Sequence, residues 1–285
     1  MTLRTSPRKS RCARRSEAAV KGSVAVGLRR RRSGGHLARK RCPDTLPPVS
    51  RSRDEWVDAM EEANVLDPPL KPPAACARCL RPLESTKRQW GTCYPCGNEH
   101  ASTLQRVTAI TYGASGTRPW SFFTATKFAA VSSDRLETFV KGIAAMLSHA
   151  IELEYPRFGA GDADYVVVPV PSSTGLINRA LDVIADKRWN SLVVADALTA
   201  EDRPKQTNLG ESARREAASG KYTARDVAGK HVLLIDDAYT TGYTIHDAGR
   251  AVSAAGAISV LGLVYVRRIY PEAMAIYRAE LGEDD

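Results

Sequence analysis

Two adjacent carboxylates and a hydroxyl-rich loop are residues that could bind a phosphorylated sugar. Asp236 and Asp237 follow an apolar run at 232–235, and the sequence Thr-Thr-Gly-Tyr-Thr follows at 240–244. Neighbouring acidic side chains offer acceptors for a vicinal diol or for a metal bound to it. Threonine hydroxyls and the peptide N–H groups of a glycine-containing loop suit a phosphate. The stretch therefore predicts a ribose 5-phosphate site.

A buried strand and a helix must hold these residues in place. The apolar run at 232–235 suits a parallel strand that is covered on both faces, and residues 245–255 have a helical pattern. A helix that starts after such a loop directs free N–H groups and the positive end of its dipole at the ligand. The alternative is an ordinary strand, turn and capped helix, in which Asp and Thr are also expected.

Residues 233–244 resemble the phosphoribosyl-pyrophosphate (PRPP) motif of type I phosphoribosyltransferases. That motif has apolar residues, two acids, two variable positions and then Thr-Thr-Gly-x-Thr, and every defining position is matched. The resemblance implies that Asp236 and Asp237 bind the ribose hydroxyls. It also implies that the 5-phosphate binds to the loop residues Ala238, Tyr239, Thr240, Thr241, Gly242, Tyr243 and Thr244.

Four cysteines form two Cys-x-x-Cys pairs, which predict a metal site. Cys76 and Cys79 are separated by thirteen residues from Cys93 and Cys96. Such pairs can place four thiolates tetrahedrally around Zn²⁺. Because the segment is too short to bury a core of its own, metal binding would fold it, and the zinc would be structural. A dithiol redox pair and a rubredoxin-like iron site are the alternatives.

Residues 105–270 alternate strands and helices, which predicts an α/β domain with a parallel sheet. We expect strands at 107–112, 192–198 and 260–266, and helices at 134–153 and 176–186. A further strand from 165 should end at Pro169, because proline cannot donate in a central ladder. Asp134 is the expected N-cap of the first helix.

The order of these features resembles the ComF family. The order is the two cysteine pairs, an apolar stretch near Lys127, Val-Pro-Val-Pro at 168–171, a basic stretch at 203–215 and the PRPP motif. ComF proteins are intracellular bacterial proteins that join a four-cysteine zinc module to a type I phosphoribosyltransferase domain. They are associated with DNA uptake during natural competence. The resemblance covers about residues 74–267.

This resemblance implies roles for two further sets of residues. The pyrophosphate-binding loop would be formed by Pro171, Ser172, Ser173 and Thr174. Charge on the pyrophosphate would be met by residues that are otherwise ordinary surface positions, namely Lys127, Arg203, Gln206 and Arg214. The family's Arg-Gly-Phe-Asn-Gln-like element is replaced here by Gly-Leu-Ile-Asn-Arg at 175–179, on the expected acceptor side. The resemblance therefore names no acceptor.

The net charge of +9 belongs to one end of the chain. Residues 1–43 hold 14 Lys and Arg against the single acid Glu17, which leaves about −4 on the rest. We expect residues 1–50 to be a disordered Arg-rich tail. A nucleic-acid-binding arm, an organelle transit peptide and an extension without a role are the open alternatives. No run of 18 apolar residues is present, so we expect no membrane span.

The expected organisation after this tail has four parts. A short helix and a proline-rich linker occupy 51–73, and a zinc-ribbon-like module occupies 74–101. The type I phosphoribosyltransferase-like domain, a parallel sheet flanked by helices, occupies 105–270. A polar C-terminal tail follows at 271–285.

Together these features predict a cytoplasmic, Mg²⁺-dependent phosphoribosyltransferase that displaces pyrophosphate from PRPP at the ribose anomeric carbon. The acceptor is unknown, and the oligomeric state is open, a homo-oligomer included. A non-catalytic PRPP sensor or single-stranded-DNA-handling accessory protein is the alternative, with single-stranded DNA or a DNA-uptake protein as partner. A redox protein that uses its cysteine pairs is a third hypothesis.

Overall fold

The computed structural model describes residues 52–94, 96, 104–201 and 220–283. The basic segment 1–50 lies outside these residues. So do three of the candidate pyrophosphate residues, Arg203, Gln206 and Arg214.

A five-stranded parallel sheet forms the centre of the chain. Its strands are β1 (Arg106–Gly113), β2 (Tyr165–Pro169), β3 (Val193–Val194), β6 (His231–Tyr239) and β7 (Ser259–Arg268), in the order β1-β7-β6-β2-β3. A separate antiparallel pair consists of β4 (Leu198–Ala200) and β5 (Tyr222–Ala224). The central position of β6, between β7 and β2, explains why its apolar run is buried on both faces.

Six helices and two short 3₁₀ turns surround the sheet in the described part of the chain. The helices are α1 (Arg53–Glu62), α2 (Arg118–Lys127), α3 (Ser133–Glu154), α4 (Leu176–Lys187), α5 (Tyr243–Ala254) and α6 (Pro271–Leu281). The 3₁₀ turns are Ser85–Trp90 and Pro156–Gly159. None of the helices in these ranges is long and apolar enough to cross a bilayer.

Alternate residues of the strands point to two different cores. Leu233 and Ile235 of β6 pack in the core that contains α1, α2, α3 and α4. Val232 and Leu234 pack in the second core, with α5, the β4–β5 pair and the four cysteines. This alternation is the expected consequence of the two-residue period of a strand. The predicted fold class, a parallel sheet flanked by helices and preceded by a small four-cysteine module, is confirmed.

The segment before the cysteines is tied to the sheet. Helix α1 begins with a capping box on Ser52 and buries Trp56 and Met60 in the same core as α3. After it, the peptide N–H of Asp67 donates to the Thr111 hydroxyl at 2.7 Å, and the carbonyl of Asp67 accepts from the N–H of Tyr112 at 2.7 Å. The expected spacer therefore runs beside β1.

Three sequence-based expectations differ from the structure. Helix α3 begins at Ser133, so that Ser132 rather than Asp134 is at the N-cap position. The single strand expected at 192–198 is divided between β3, which joins the parallel sheet, and β4, which pairs with β5.

The third difference is at the C-terminus, where helix α6 replaces the expected polar tail. Proline is favoured at the first position of a helix, and α6 begins at Pro271. The helix buries Ala273, Met274 and Tyr277. The ring of Tyr277 packs edge-on against Tyr112 of β1, with 5.1 Å between the ring centroids. The polar composition of the segment led to the expectation of a tail, because it gave no sign of this apolar face.

Candidate functional site

The two adjacent carboxylates lie in the last part of strand β6 and are buried. Asp236 is 6% exposed and Asp237 is 3% exposed. The Asp236 carboxylate accepts a hydrogen bond from the peptide N–H of Asp237 at 2.7 Å. Burial, together with the charge of Asp237, raises the pKa of Asp236 to about 7. Two adjacent carboxylates that are shielded from water can both be ionised only if nearby cations or hydrogen-bond donors stabilise them.

Lys127 supplies one such cation. It is the last residue of α2, and its Nζ donates to Oδ1 of Asp237 at 2.7 Å. The other carboxylate oxygen of Asp237, Oδ2, is buried and has no hydrogen-bond partner among the described residues. An unpartnered buried carboxylate oxygen is costly, so it is suited to a ligand hydroxyl or a cation. The structure thus places Lys127 at the acid pair, whereas the sequence-based hypothesis assigned it to charge on the pyrophosphate.

The expected phosphate loop connects β6 to α5. Strand β6 ends at Tyr239 and α5 begins at Tyr243, with Gly242 at the N-cap position in a left-handed conformation (φ +86°). A Cβ at Gly242 would lie 2.3 Å from the hydroxyl oxygen of Tyr239. That hydroxyl also lies 3.1 Å from Nε2 of His246 on α5. The loop is therefore closed over the Tyr239 ring, and the first turn of α5 follows directly.

Arg267 binds the backbone of this loop. The sequence analysis did not identify it. It is 7% exposed, at the end of β7, and its Nη1 donates to the carbonyls of Tyr239 at 3.0 Å and Thr240 at 2.7 Å. Its Nε donates to the carbonyl of Cys79 at 2.7 Å. The only sequence signal was an arginine directly after the apolar strand expected at 260–266.

The β4–β5 pair brings a second set of unpredicted residues to the acid pair. Burial, and then the charge of Asp236, raises the pKa of Tyr222, whose hydroxyl is buried without a partner in the described part of the chain. The charge of Lys221 acts on Asp236 and opposes the rise of its pKa. Asp247 of α5 holds the residues just before β5 in place. Its carboxylate accepts hydrogen bonds from the N–H groups of Gly220 at 2.9 Å and Lys221 at 2.8 Å.

The expected pyrophosphate loop follows β2, which is the neighbour of β6. Pro169, the last residue of β2, is paired with Ile235, one residue before the acid pair. Beyond it, the hydroxyls of Ser172 and Thr174 lie 3.0 Å apart, and the N–H of Thr174 donates to the Ser172 hydroxyl. Because carboxyl ends of parallel strands meet at one edge of a sheet, the segment 171–174 and the phosphate loop share that edge.

The four cysteines converge, as their spacing predicts. Cys76, Cys79, Cys93 and Cys96 are buried, and their sulfur atoms all lie within 4.8 Å of one another. The sulfurs of Cys79 and Cys93 are 3.6 Å apart. A tetrahedron with Zn–S bonds of about 2.3 Å has sulfurs separated by nearly this distance. The donor set therefore fits a structural Zn²⁺.

The four thiols are close enough to change one another's ionisation. The hydrogen bond with Cys79, followed by those with Cys93 and Cys96, lowers the pKa of Cys76. The contact with Cys76, followed by the other two cysteines, raises the pKa of Cys96. One thiolate is thus favoured by its neighbours, whereas four thiolates this close need a cation at their centre.

Comparisons with known proteins give only distant likenesses. No protein-family model and no curated protein matches the chain. A hypoxanthine phosphoribosyltransferase from Trypanosoma cruzi is 13% identical, has a TM-score of 0.31 and aligns over 48% of this chain and 79% of its own. One from Staphylococcus aureus is 15% identical, with a TM-score of 0.31, over 47% and 75%. A purine phosphoribosyltransferase from Pyrococcus horikoshii is 13% identical, with a TM-score of 0.25, over 58% and 93%. These likenesses are too distant to assign a function, which must come from the site itself.

Proposed function

We propose that this chain binds PRPP and transfers its phosphoribosyl group to an acceptor with release of pyrophosphate. The observation that carries the proposal is the placement of two buried carboxylates, Asp236 and Asp237, directly before a closed loop at the start of α5. The carboxylates are acceptors for the two ribose hydroxyls, and the loop is a donor surface for the 5-phosphate. Of the ligands considered, only PRPP needs acceptors for a diol next to donors for a phosphate.

The chemistry would be a substitution at the ribose anomeric carbon. The bond from this carbon to the pyrophosphate oxygen breaks, and a bond to the acceptor's nucleophilic atom forms as the acceptor loses a proton. Positive charge develops on the sugar in the transition state, and the ionised acid pair stabilises it electrostatically. Anchoring the 5-phosphate at 240–244 fixes the sugar, so that binding energy lowers the barrier.

The leaving pyrophosphate needs counter-charge. Mg²⁺ bound with the substrate would offset the charge of the leaving group. Among the described residues, the free Oδ2 of Asp237 is the oxygen best suited to hold it. We propose that the segment 171–174 contacts the pyrophosphate from the neighbouring strand end. Arg203, Gln206 and Arg214 remain candidates for the same role.

The four-cysteine module would hold a structural Zn²⁺, because all four ligand positions are supplied by the chain. The combination of such a module with a PRPP site supports a place in the ComF family. It also supports a reducing compartment such as the cytoplasm, since free cysteines at metal spacing persist there.

Calorimetric titration of PRPP with Mg²⁺ into the intact chain tests the proposal. Wild-type protein should bind, and the Asp236→Asn/Asp237→Asn double variant should lose binding and PRPP-dependent pyrophosphate release. The matched control is Asp182→Asn/Asp186→Asn, which removes two negative charges from the exposed face of α4. Undiminished pyrophosphate release by the 236/237 double variant would refute the proposal.

One observation favours the non-catalytic alternative, an accessory protein that handles single-stranded DNA. The four-cysteine segment exposes two aromatic side chains, Trp90 at 65% and Tyr94 at 84%. Exposed aromatic rings near basic residues are platforms on which unpaired bases stack. Salt-dependent binding of a single-stranded oligonucleotide that falls at least tenfold in Trp90→Ala/Tyr94→Ala would support this function. Deleting residues 1–50 in parallel would show whether the basic segment contributes.

A further inference from the structure

We propose that Arg267 is a positioning residue that fixes the conformation of the phosphate loop. The four-cysteine module in turn helps to hold the Arg267 side chain in place. This inference rests on the proposed PRPP-binding function. The key fact is that one buried guanidinium donates to two consecutive carbonyls of the loop, those of Tyr239 and Thr240, at 3.0 and 2.7 Å.

Peptide geometry converts these two contacts into a statement about donors. In a planar trans peptide the C=O and the following N–H point in opposite directions. Fixing the carbonyls of Tyr239 and Thr240 towards Arg267 therefore turns the N–H groups of Thr240 and Thr241 away from it. The cation lies behind both peptides and polarises them so that these N–H groups become better donors. Both effects favour an anion on the opposite side of the loop.

The Tyr239 ring adds a second constraint from the same side chain. The guanidinium carbon of Arg267 lies 4.6 Å from the centre of this ring. Gly242 approaches the other end of the ring so closely that no side chain fits there. Arg267 thus orders the first two loop peptides directly, and it orders the position of Gly242 through Tyr239.

The other end of the guanidinium is fixed by the first cysteine pair. Its Nε donates to the carbonyl of Cys79 at 2.7 Å, and its Nη2 lies 3.8 Å from the Cys79 sulfur. The next carbonyl of the same turn, that of Leu80, accepts from the hydroxyl of Tyr112 at 2.5 Å. The turn that carries Cys79 is thereby docked onto β7 and β1. Arg267 therefore contacts both Cys79 and the phosphate loop.

Arg268 provides a matched control within the same strand. It lines the same cleft of about 270 Å³ as Thr240, Thr241 and Arg267. Its guanidinium, however, lies over the rings of Trp120 at 5.0 Å and Tyr270 at 5.8 Å. Removing Arg268 takes the same charge from the same cleft and leaves the loop carbonyls in place. A comparison of the two arginines separates positioning from general electrostatic attraction.

The experiment compares Arg267→Met and Arg268→Met in the full zinc-loaded chain by PRPP titration and by hydrogen–deuterium exchange. We expect Arg267→Met to weaken PRPP binding by about tenfold or more and to speed exchange at 239–242. Arg268→Met should change affinity less than about threefold and leave this exchange unaltered. Zinc content should be equal in both. Equal losses in the two variants, or full affinity and protection in Arg267→Met, would overturn the inference.

A lysine variant and the exchange data cover the remaining outcomes. Arg267→Lys keeps the charge but has a single nitrogen, so it cannot bind the carbonyl of Cys79 as Nε does while also binding the loop carbonyls as Nη1 does. It should therefore lose affinity and protection, and full retention of both contradicts the proposal. This variant decides the matter if Arg267→Met does not fold. If wild-type protein binds no PRPP, the proposed function fails, and exchange at 239–242 alone then tests the positioning role.

Discussion

Lys127 and Asp237 connect the end of helix α2 to the end of strand β6 through an Nζ–Oδ1 contact of 2.7 Å. The side chain of Asp237 is 5% exposed and that of Lys127 is 23% exposed, so the pair is largely removed from water. The amine of Lys127 therefore offsets negative charge at the two buried carboxylates.

Replacing Lys127 by methionine should destabilise the protein and weaken PRPP binding. The substitution leaves two buried carboxylates without their nearest cation, and breaking such a pair costs about 3 kcal/mol. Urea unfolding at pH 7.5 measures the loss. Lys141→Met is the matched control, because its partner Glu137 is 66% exposed and such a pair contributes about 0.5 kcal/mol or less. In a double-mutant cycle, Asp237→Asn should recover much of the loss, and strict additivity would contradict the coupling.

Replacing Asp236 by asparagine should stabilise the unliganded protein, and the gain should depend on pH. Burial and the charge of Asp237 raise the pKa of Asp236 to about 7, whereas an unperturbed aspartate has a pKa of about 3.9. The folded state therefore keeps a proton that the unfolded state releases. As pH rises from about 4 to about 7, this group lowers the free energy of unfolding, and the full cost is present above pH 7.

Unfolding by urea at pH 4, 6 and 8 checks this sign. The stability of Asp236→Asn relative to wild type should be greatest at pH 8 and should shrink towards pH 4. Asp186→Asn, at an exposed position on α4, serves as the control. A stability difference that stays constant across the three pH values would show that the titration of Asp236 is not responsible.

Replacing Gly242 by alanine should damage the phosphate loop. The new Cβ would lie 2.3 Å from the Tyr239 hydroxyl, in addition to the strain of an alanine at φ +86°. We expect a stability loss of about 2 kcal/mol together with a loss of PRPP affinity. Gly229→Ala separates the two causes, since Gly229 has φ +73° and nothing within 4 Å of the new Cβ. It should lose about 1 kcal/mol and keep its affinity. Equal affinity losses would indicate a general effect of stability.

The purified chain should contain one zinc ion, measured by elemental analysis. Cys93→Ser should lose most of the metal and unfold at a lower temperature, because the short segment around the cysteines depends on the metal for its fold. Cys42→Ser, outside the described residues, should keep full zinc content. Iron in place of zinc, or a disulfide in the protein purified without reductant, would refute the structural zinc site.

The sequence predicted what is encoded locally. The acid pair and the loop after it lie within residues 236–244, and the two cysteine pairs lie within residues 76–96. Hypotheses for both could therefore be drawn from residue types and spacing alone. The apolar run before Asp236 correctly indicated a central strand because only a strand covered on both faces tolerates it. The prolines after 168 correctly marked the end of β2.

The contacts that complete the site could not be predicted in this way. Lys127 and Asp237 are 110 residues apart, and Cys79 and Arg267 are 188 residues apart. Their proximity depends on strand order, which places β7 beside β6 and the cysteine module over both. Helix α6 was missed for a similar reason, since its three buried residues are recognisable only once Tyr112 is known to face them.

Hydrogen bonds between Asp67 and β1 close the segment that contains the cysteine module into a loop. Asp67 is hydrogen-bonded to Thr111 and Tyr112, so the segment that carries all four ligands begins beside β1 and ends in β1 itself. Folding of the core therefore supplies most of the entropic cost of closing this loop before any ion binds. The four cysteines are then held close together, at a high effective concentration for the metal. The intact protein should thus hold its metal far more tightly than the excised peptide. Loss of the core should release the ion, so that metal retention reports on the folding of the whole domain.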